Sequence, residues 1–278
     1  RGLGDVYKRQ FYNRRIELIM TVNTLINYLA FTYPIGKAYQ IYEQASHIPP
    51  DTTQSAAKII KKEFEPFLTE NRITKNIGYG EIFKEYSPFS GAAAGGTNLF
   101  GGATILITHG FYEADKDACN FAVKHEIGHI KHNDCIVIPS VVATCQVATI
   151  FFGFGICSLS GVYVVVLIIL GNIIVEGLFR QSQEGKADDF AIKTSSNEEL
   201  QGGRRFFVAL QESFIEKRNT RFWSRIVYSS GGENRLDVFH PSLAGRIQKI
   251  ENALQLRGVE IDSIDREKFD HLKTVLVA

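Results

Sequence analysis

Between Cys135 and Val175 the chain runs for 41 residues without one Asp, Glu, Lys, Arg or His. A helix that packs in water seldom goes so far uncharged. The hydrocarbon layer of a bilayer is about 30 Å thick and takes roughly 20 helical residues. The run divides at Ser158–Gly161 into Ile136–Cys157 and Val162–Phe179. That predicts two spans joined by a tight turn, a transmembrane helical hairpin. Gln146 and Asn172, its most polar members, are expected to meet between the helices. The alternative is a hairpin buried in a soluble protein. Lys116, Lys124 and Lys131 precede the run, and Arg180, Lys186 and Lys193 follow it. Basic flanks favour the cytoplasm, so both open ends are expected there.

Immediately before this run stands FAVKHEIGHIKHND, Phe121–Asp134, with His125, Glu126 and His129 in the pattern H-E-x-x-H. On a helix, residues four apart share one face. The two imidazoles can therefore serve one metal ion, with Glu126 close enough to act as general base on a water there. Asp115 and Asp117 suit the N-terminus of such a helix. Apolar residues on both sides of the histidine stripe predict a buried helix. Gly128 is a poor helix former, and its presence predicts that another backbone passes close by.

Two histidines leave a catalytic zinc incomplete, because it wants three protein ligands and one open position. After the apolar run comes RQSQEGKADDFA, where Arg180, Glu184 and Asp188 lie at i, i+4 and i+8. The hairpin returns the chain to where it left, so Glu184 can supply the third ligand. Asp188, one turn on, can accept the N–H of a ligating histidine. A solvated charged stripe is the plain alternative. His132, at i+3 from His129, points down the helix. A third histidine of the metzincin pattern would fall at position 135, where Cys135 stands.

Elsewhere the signals are weaker. Residues 1–10, RGLGDVYKRQ, read as a non-native leader. Residues 11–90 read as an N-terminal helical region: Ile16–Phe31 as an amphipathic helix at the core or a membrane surface, and a helix from Asp51 to about Leu68. Residues 91–134 read as an edge strand and the zinc helix. The glycine-rich Gly91–Gly102 lacks the phosphate-loop pattern. Ala103–Thr108 is β-branched and reads as the strand that rims the cleft and pairs with an extended substrate. Residues 135–179 are the hairpin, 180–257 the second half of the domain, and 258–278 a tail. Charge is balanced, 31 basic against 30 acidic residues, which points away from nucleic acid. The four cysteines form no C-x-x-C pair and read as buried thiols.

HEIGHIKHND, a hydrophobic hairpin, R-x-x-x-E-x-x-A-D, then His240-Pro241 with Arg246 six residues on: this ordered set resembles the HtpX-like membrane zinc metallopeptidases, whose wider family includes the CAAX prenyl endopeptidases. The resemblance spans roughly Gly95–Ala253. It implies a mainly α fold with a small β-sheet, a gluzincin-type domain interrupted by the hairpin. It implies one Zn2+ on His125, His129 and Glu184, with Glu126 as base and Asp188 behind a ligand. His240 would stabilise the oxyanion, Arg246 would support it, and Asn98, in an N-A-F-like element, would contact substrate. Partners would be a protein or peptide substrate and the lipid bilayer. Localisation would be a bacterial inner membrane with the site on the cytoplasmic side, and membrane-protein quality control a role. Such families usually carry two spans ahead of the zinc helix, where this chain offers only Ile16–Phe31. A non-catalytic scaffold on the same fold and a soluble protease–chaperone are the competing functions. Intact Glu126, Glu184 and Asp188 argue against the scaffold.

Overall fold

A computed structural model of the chain describes residues 56–73, 76–82, 91–99, 102–150, 161–220, 222–237, 239–261 and 265–277. The leader, the helix expected at Ile16–Phe31, the Asp51 cap, residues 158–160 of the expected turn and the side chains of Gln146 and Asn172 lie outside these. The chain forms two compact units. In one of them, the described residues of Val137–Gly177 are helical. The other, formed from Ala45–Ile136 and Leu178–Ala278, holds the sheet and the histidine motif.

In that second unit α1 (Ala56–Glu70) precedes three strands: β1 (Ile77–Ile82), β2 (Ala92–Thr97) and β3 (Gly102–Thr108). The strand order is β1-β3-β2. β3 pairs parallel with β1, Ile77 opposite Ala103, and antiparallel with β2, Ala92 opposite Ile107. This corrects two expectations. Residues 11–90 are not wholly helical, because β1 lies among them. Ala103–Thr108 is the central strand, not the edge. Its β-branched residues suit a strand buried between two neighbours, with Ile105 and Ile107 inaccessible to water. β1 and β2 are the two edges, and β2, AAAGGT, is the one that lies along the histidine helix.

That helix is α3 (Lys116–His132), reached through the short α2 (Phe111–Ala114). Asp115 caps it, accepting the backbone N–H of Asp117 and Ala118 at 3.1 Å each. The same carboxylate takes a two-pronged ion pair from Arg205, at 2.7 and 3.1 Å. The α3 terminus is thereby fixed to α6 (Asn197–Thr220). Ala118, Phe121, Val123, Ile127 and Ile130 are buried, so α3 is apolar on both flanks, as its sequence predicts. Asn133 ends it in the left-handed region, φ 57°. Its Oδ1 accepts the Leu99 N–H at 2.8 Å and the Thr97 hydroxyl at 2.5 Å, tying the β2–β3 turn to the helix end.

α4 (Asp134–Ile150) and α5 (Gly161–Thr194) stand where the two spans were expected. Among the described residues no helix is long and apolar enough to cross a membrane. α5 runs on past Phe179, the end expected for the second span, through the Arg180–Asp188 stretch whose i, i+4, i+8 spacing already suits a helix. Residues 176–194 hold no proline and several strong helix formers, so the helix continues and carries Glu184 and Asp188. Lys124, counted above as an orienting flank, is buried and donates to Glu199 at 2.5 Å and to the Thr194 carbonyl at 2.9 Å. After α6 come α7 (Ser224–Val227), α8 (Leu243–Leu256) and α9 (Arg266–Val277). The last lies in the expected tail, and its Phe269 and Leu272 are buried in the core with residues of α1, α3, β1 and β3.

Candidate active site

Two helices build the site, and their spacing is set by a missing side chain. A methyl on Gly128 of α3 would stand 2.9 Å from the Ala187 Cα of α5. Only glycine lets the backbones come this close, as its place in the motif predicts. The contact sets His125 and His129 against Glu184, three residues before Ala187.

The three side chains converge. His125 Nε2 is 3.3 Å from Glu184 Oε2, His129 Nε2 is 3.3 Å from Oε1, and the two Nε2 atoms are 3.1 Å apart. The rings meet nearly edge to face, with centroids 4.7 Å apart. Behind each ring stands a carboxylate. Asp188 Oδ1 is 2.9 Å from His125 Nδ1, and Asp134 Oδ2 is 2.7 Å from His129 Nδ1. A ring that gives its Nδ1–H to a carboxylate presents a lone pair at Nε2. Both lone pairs therefore face one point, together with a third acceptor.

Acceptors that meet in this way need a shared positive charge. Protons answer in part. Burial disfavours charge on His129, but bonds to Asp134 and Glu184 outweigh it and hold the imidazole up to about 11. His125 is raised too: burial opposes it, and Asp188 and Glu184 prevail. Burial would raise Glu184, yet the two histidines pull it far below the usual carboxylate range. A divalent cation answers fully. The three groups are able to hold one metal ion, their ligand atoms lying within 4.8 Å of one another. Two imidazoles and a carboxylate suit zinc.

Glu126 sits on α3 between the histidines, half-buried. Burial raises its carboxyl, while the nearby His125 and His129 pull the other way. A carboxylate raised in this manner is better matched to accepting a proton near neutrality. Arg246 of α8 is not bonded to His240. It clasps Asp188 through Nε at 2.9 Å and Nη2 at 2.6 Å, and its guanidinium lies 4.2 Å from the Phe207 ring centre. Burial would raise Asp188; Arg246 first, then His125, hold it low. The basic residue thus stands behind His125, bonded to Asp188 and with its Nη2 3.3 Å from the His125 Nδ1.

His240 reaches the site from another loop, its Nε2 3.7 Å from Glu184 Oε1. What holds it is Asp237, at 2.8 Å from Nδ1. Asn98 lies in the turn between β2 and β3, and its backbone N–H donates to the Ile130 carbonyl at 3.3 Å. Asp134 and Asp237 were not singled out from the sequence. The D-x-x-H spacing of Asp237 and His240 offered a signal. Asp134, five residues past His129, offered none.

A model of peptidase family M48 matches residues 82–254, more than half of the chain. No curated protein and no solved structure matches it. The matched stretch runs from the last residue of β1 into the last turn of α8 and contains every residue of the cluster. The chain belongs to peptidase family M48, whose members are metal-dependent peptidases.

Proposed function

We propose that the chain is an HtpX-like, membrane-anchored zinc endopeptidase that hydrolyses peptide bonds within protein substrates. The observation that carries this reading is the meeting of His125 Nε2, His129 Nε2 and the Glu184 carboxylate beside Glu126. These three would hold one zinc ion. When bound, zinc supplies Lewis acidity, polarising a carbonyl and lowering the pKa of water to about 7.

The chain's own groups do the rest. Glu126 takes the proton of the attacking water and passes it to the leaving amine as the C–N bond breaks. Asp188 and Asp134 keep the imidazoles in the ligating tautomer. As an imidazolium held by Asp237, His240 can donate Nε2–H to the oxyanion of the tetrahedral carbon. The edge strand β2 supports recognition of an extended substrate. Thr108 N–H bonds the Gly91 carbonyl, so by alternation Ala92, Ala94 and Gly96 turn their backbone groups away from β3. The Gly96 N–H meets Cys135 Sγ at 3.3 Å. Ala92 and Ala94 are offered for pairing by strand addition, with Asn98 at the far end of that strand.

The uncharged run Cys135–Val175 supports the membrane anchor, and the basic flanks other than Lys124 support a cytoplasmic site in a bacterial inner membrane. Resemblance to HtpX-like enzymes points to quality control of membrane proteins. The test is zinc content together with casein hydrolysis by the purified chain, with and without a zinc chelator. Stoichiometric zinc and chelator-sensitive cleavage are expected; cleavage indifferent to metal removal contradicts the reading. A cysteine placed in Ser158–Gly161 should react only from the non-cytoplasmic side. Recovery of the chain in a soluble extract contradicts the anchor.

A further inference from the structure

The segment between α6 and α8 carries an apolar surface that the site does not use. Phe222 and Trp223 are 72% and 73% exposed, Ile226 52% and Leu236 66%. Large aromatics are seldom left this open to water. Trp223 and Ile226 sit three apart around the short α7, so they share a side. The Arg235 N–H bonds the Val227 carbonyl at 2.8 Å, which brings Leu236 beside the end of α7. This segment is held firmly: Tyr228 stacks on Phe214 of α6, centroids 4.9 Å apart, and Gln211 donates to the Gly231 carbonyl at 2.8 Å.

Charge selects the occupant. Lys217, Arg225 and Arg235 are exposed around these residues. From Lys217 to His240 the sequence has only two acids, Glu233 and Asp237, and both are engaged inward. Glu233 caps α8, accepting the Leu243 and Ala244 N–H at 2.9 Å each. Asp237 is bonded to His240. What faces outward is therefore apolar, aromatic and positive. Aromatic rings with basic neighbours suit the headgroup layer of an anionic bilayer.

We infer that the Phe222–Leu236 surface docks on an anionic membrane, with Phe222 and Trp223 entering the headgroup region. Trp223 is the only tryptophan of the chain, so its fluorescence reports this surface alone, however the rest of the chain is anchored. The purified 278-residue chain is combined with phosphatidylcholine vesicles, with and without phosphatidylglycerol. Expected are a blue shift and quenching by brominated acyl chains in the anionic vesicles. Both should weaken in about 1 M salt, where the Debye length is about 3 Å, and in Arg225→Glu, with circular dichroism showing that this variant is folded. Three results overturn the inference: water-like emission in every lipid; an equal shift in neutral and anionic vesicles; or a lipid-free shift on adding reduced casein or concentrating the protein, which assigns the surface to a peptide or a second copy.

Discussion

Asp134 Oδ2 lies 2.7 Å from His129 Nδ1, the counterpart of Asp188 at His125. Each imidazole is thus oriented by its own carboxylate. One carboxylate is offered by the helix that follows α3 and the other by the helix that bears Glu184. Asp134→Ala should lower metal affinity about 10–100-fold, the usual scale for losing such a partner. Asp188→Ala should do the same and should also release Arg246. Competition against a chromophoric chelator measures both. Unchanged affinity in either variant contradicts the role given to that carboxylate.

Gly128→Ala tests the spacing of the two helices. The added methyl meets backbone, 2.9 Å from the Ala187 Cα, where no side-chain rotation relieves it. Overpacking costs about 1–3 kcal/mol, against about 1 kcal/mol gained in helix propensity. A lower melting temperature and weaker metal binding are expected together, because α5 carries Glu184. A variant that melts higher with unchanged affinity contradicts this.

His240 gives a pH dependence. Its pKa is raised, first by the bond to Asp237. A neutral ring that donates Nδ1–H to Asp237 has no proton left at Nε2, so only the imidazolium is a donor to the oxyanion. The raised pKa keeps that form present to higher pH. Asp237→Asn removes the charge and lowers the pKa, so the alkaline limb of kcat/KM should move to lower pH while the acid limb stays. An alkaline limb that does not move removes His240 from the reaction.

The parts of the site that were legible in the sequence are those fixed by helical periodicity. His125 and His129 share a face at i+4, Glu184 and Asp188 do likewise, and Gly128 marked the close crossing. What could not be read depends on the chain leaving regular structure. Asn133 turns left-handed, and only then does Asp134 come back under His129. β2 is built of alanine and glycine and has no β-branched signal before its final threonine, so this edge strand leaves little mark in the sequence beside its β-branched neighbour β3. β1 and α9 pair with partners distant in sequence, which no local pattern reveals.

The central claim is that His125, His129 and Glu184 hold the metal while Glu126 only moves the proton. Zinc stoichiometry and kcat measured on the same preparations of the wild type, Glu126→Gln and Glu184→Gln test it directly. Glu126→Gln should keep its zinc and lose about 10²–10⁴-fold or more in turnover. Glu184→Gln should lose zinc and activity together, with partial recovery in excess zinc. Full turnover in zinc-replete Glu126→Gln, or full zinc occupancy in Glu184→Gln, contradicts the account.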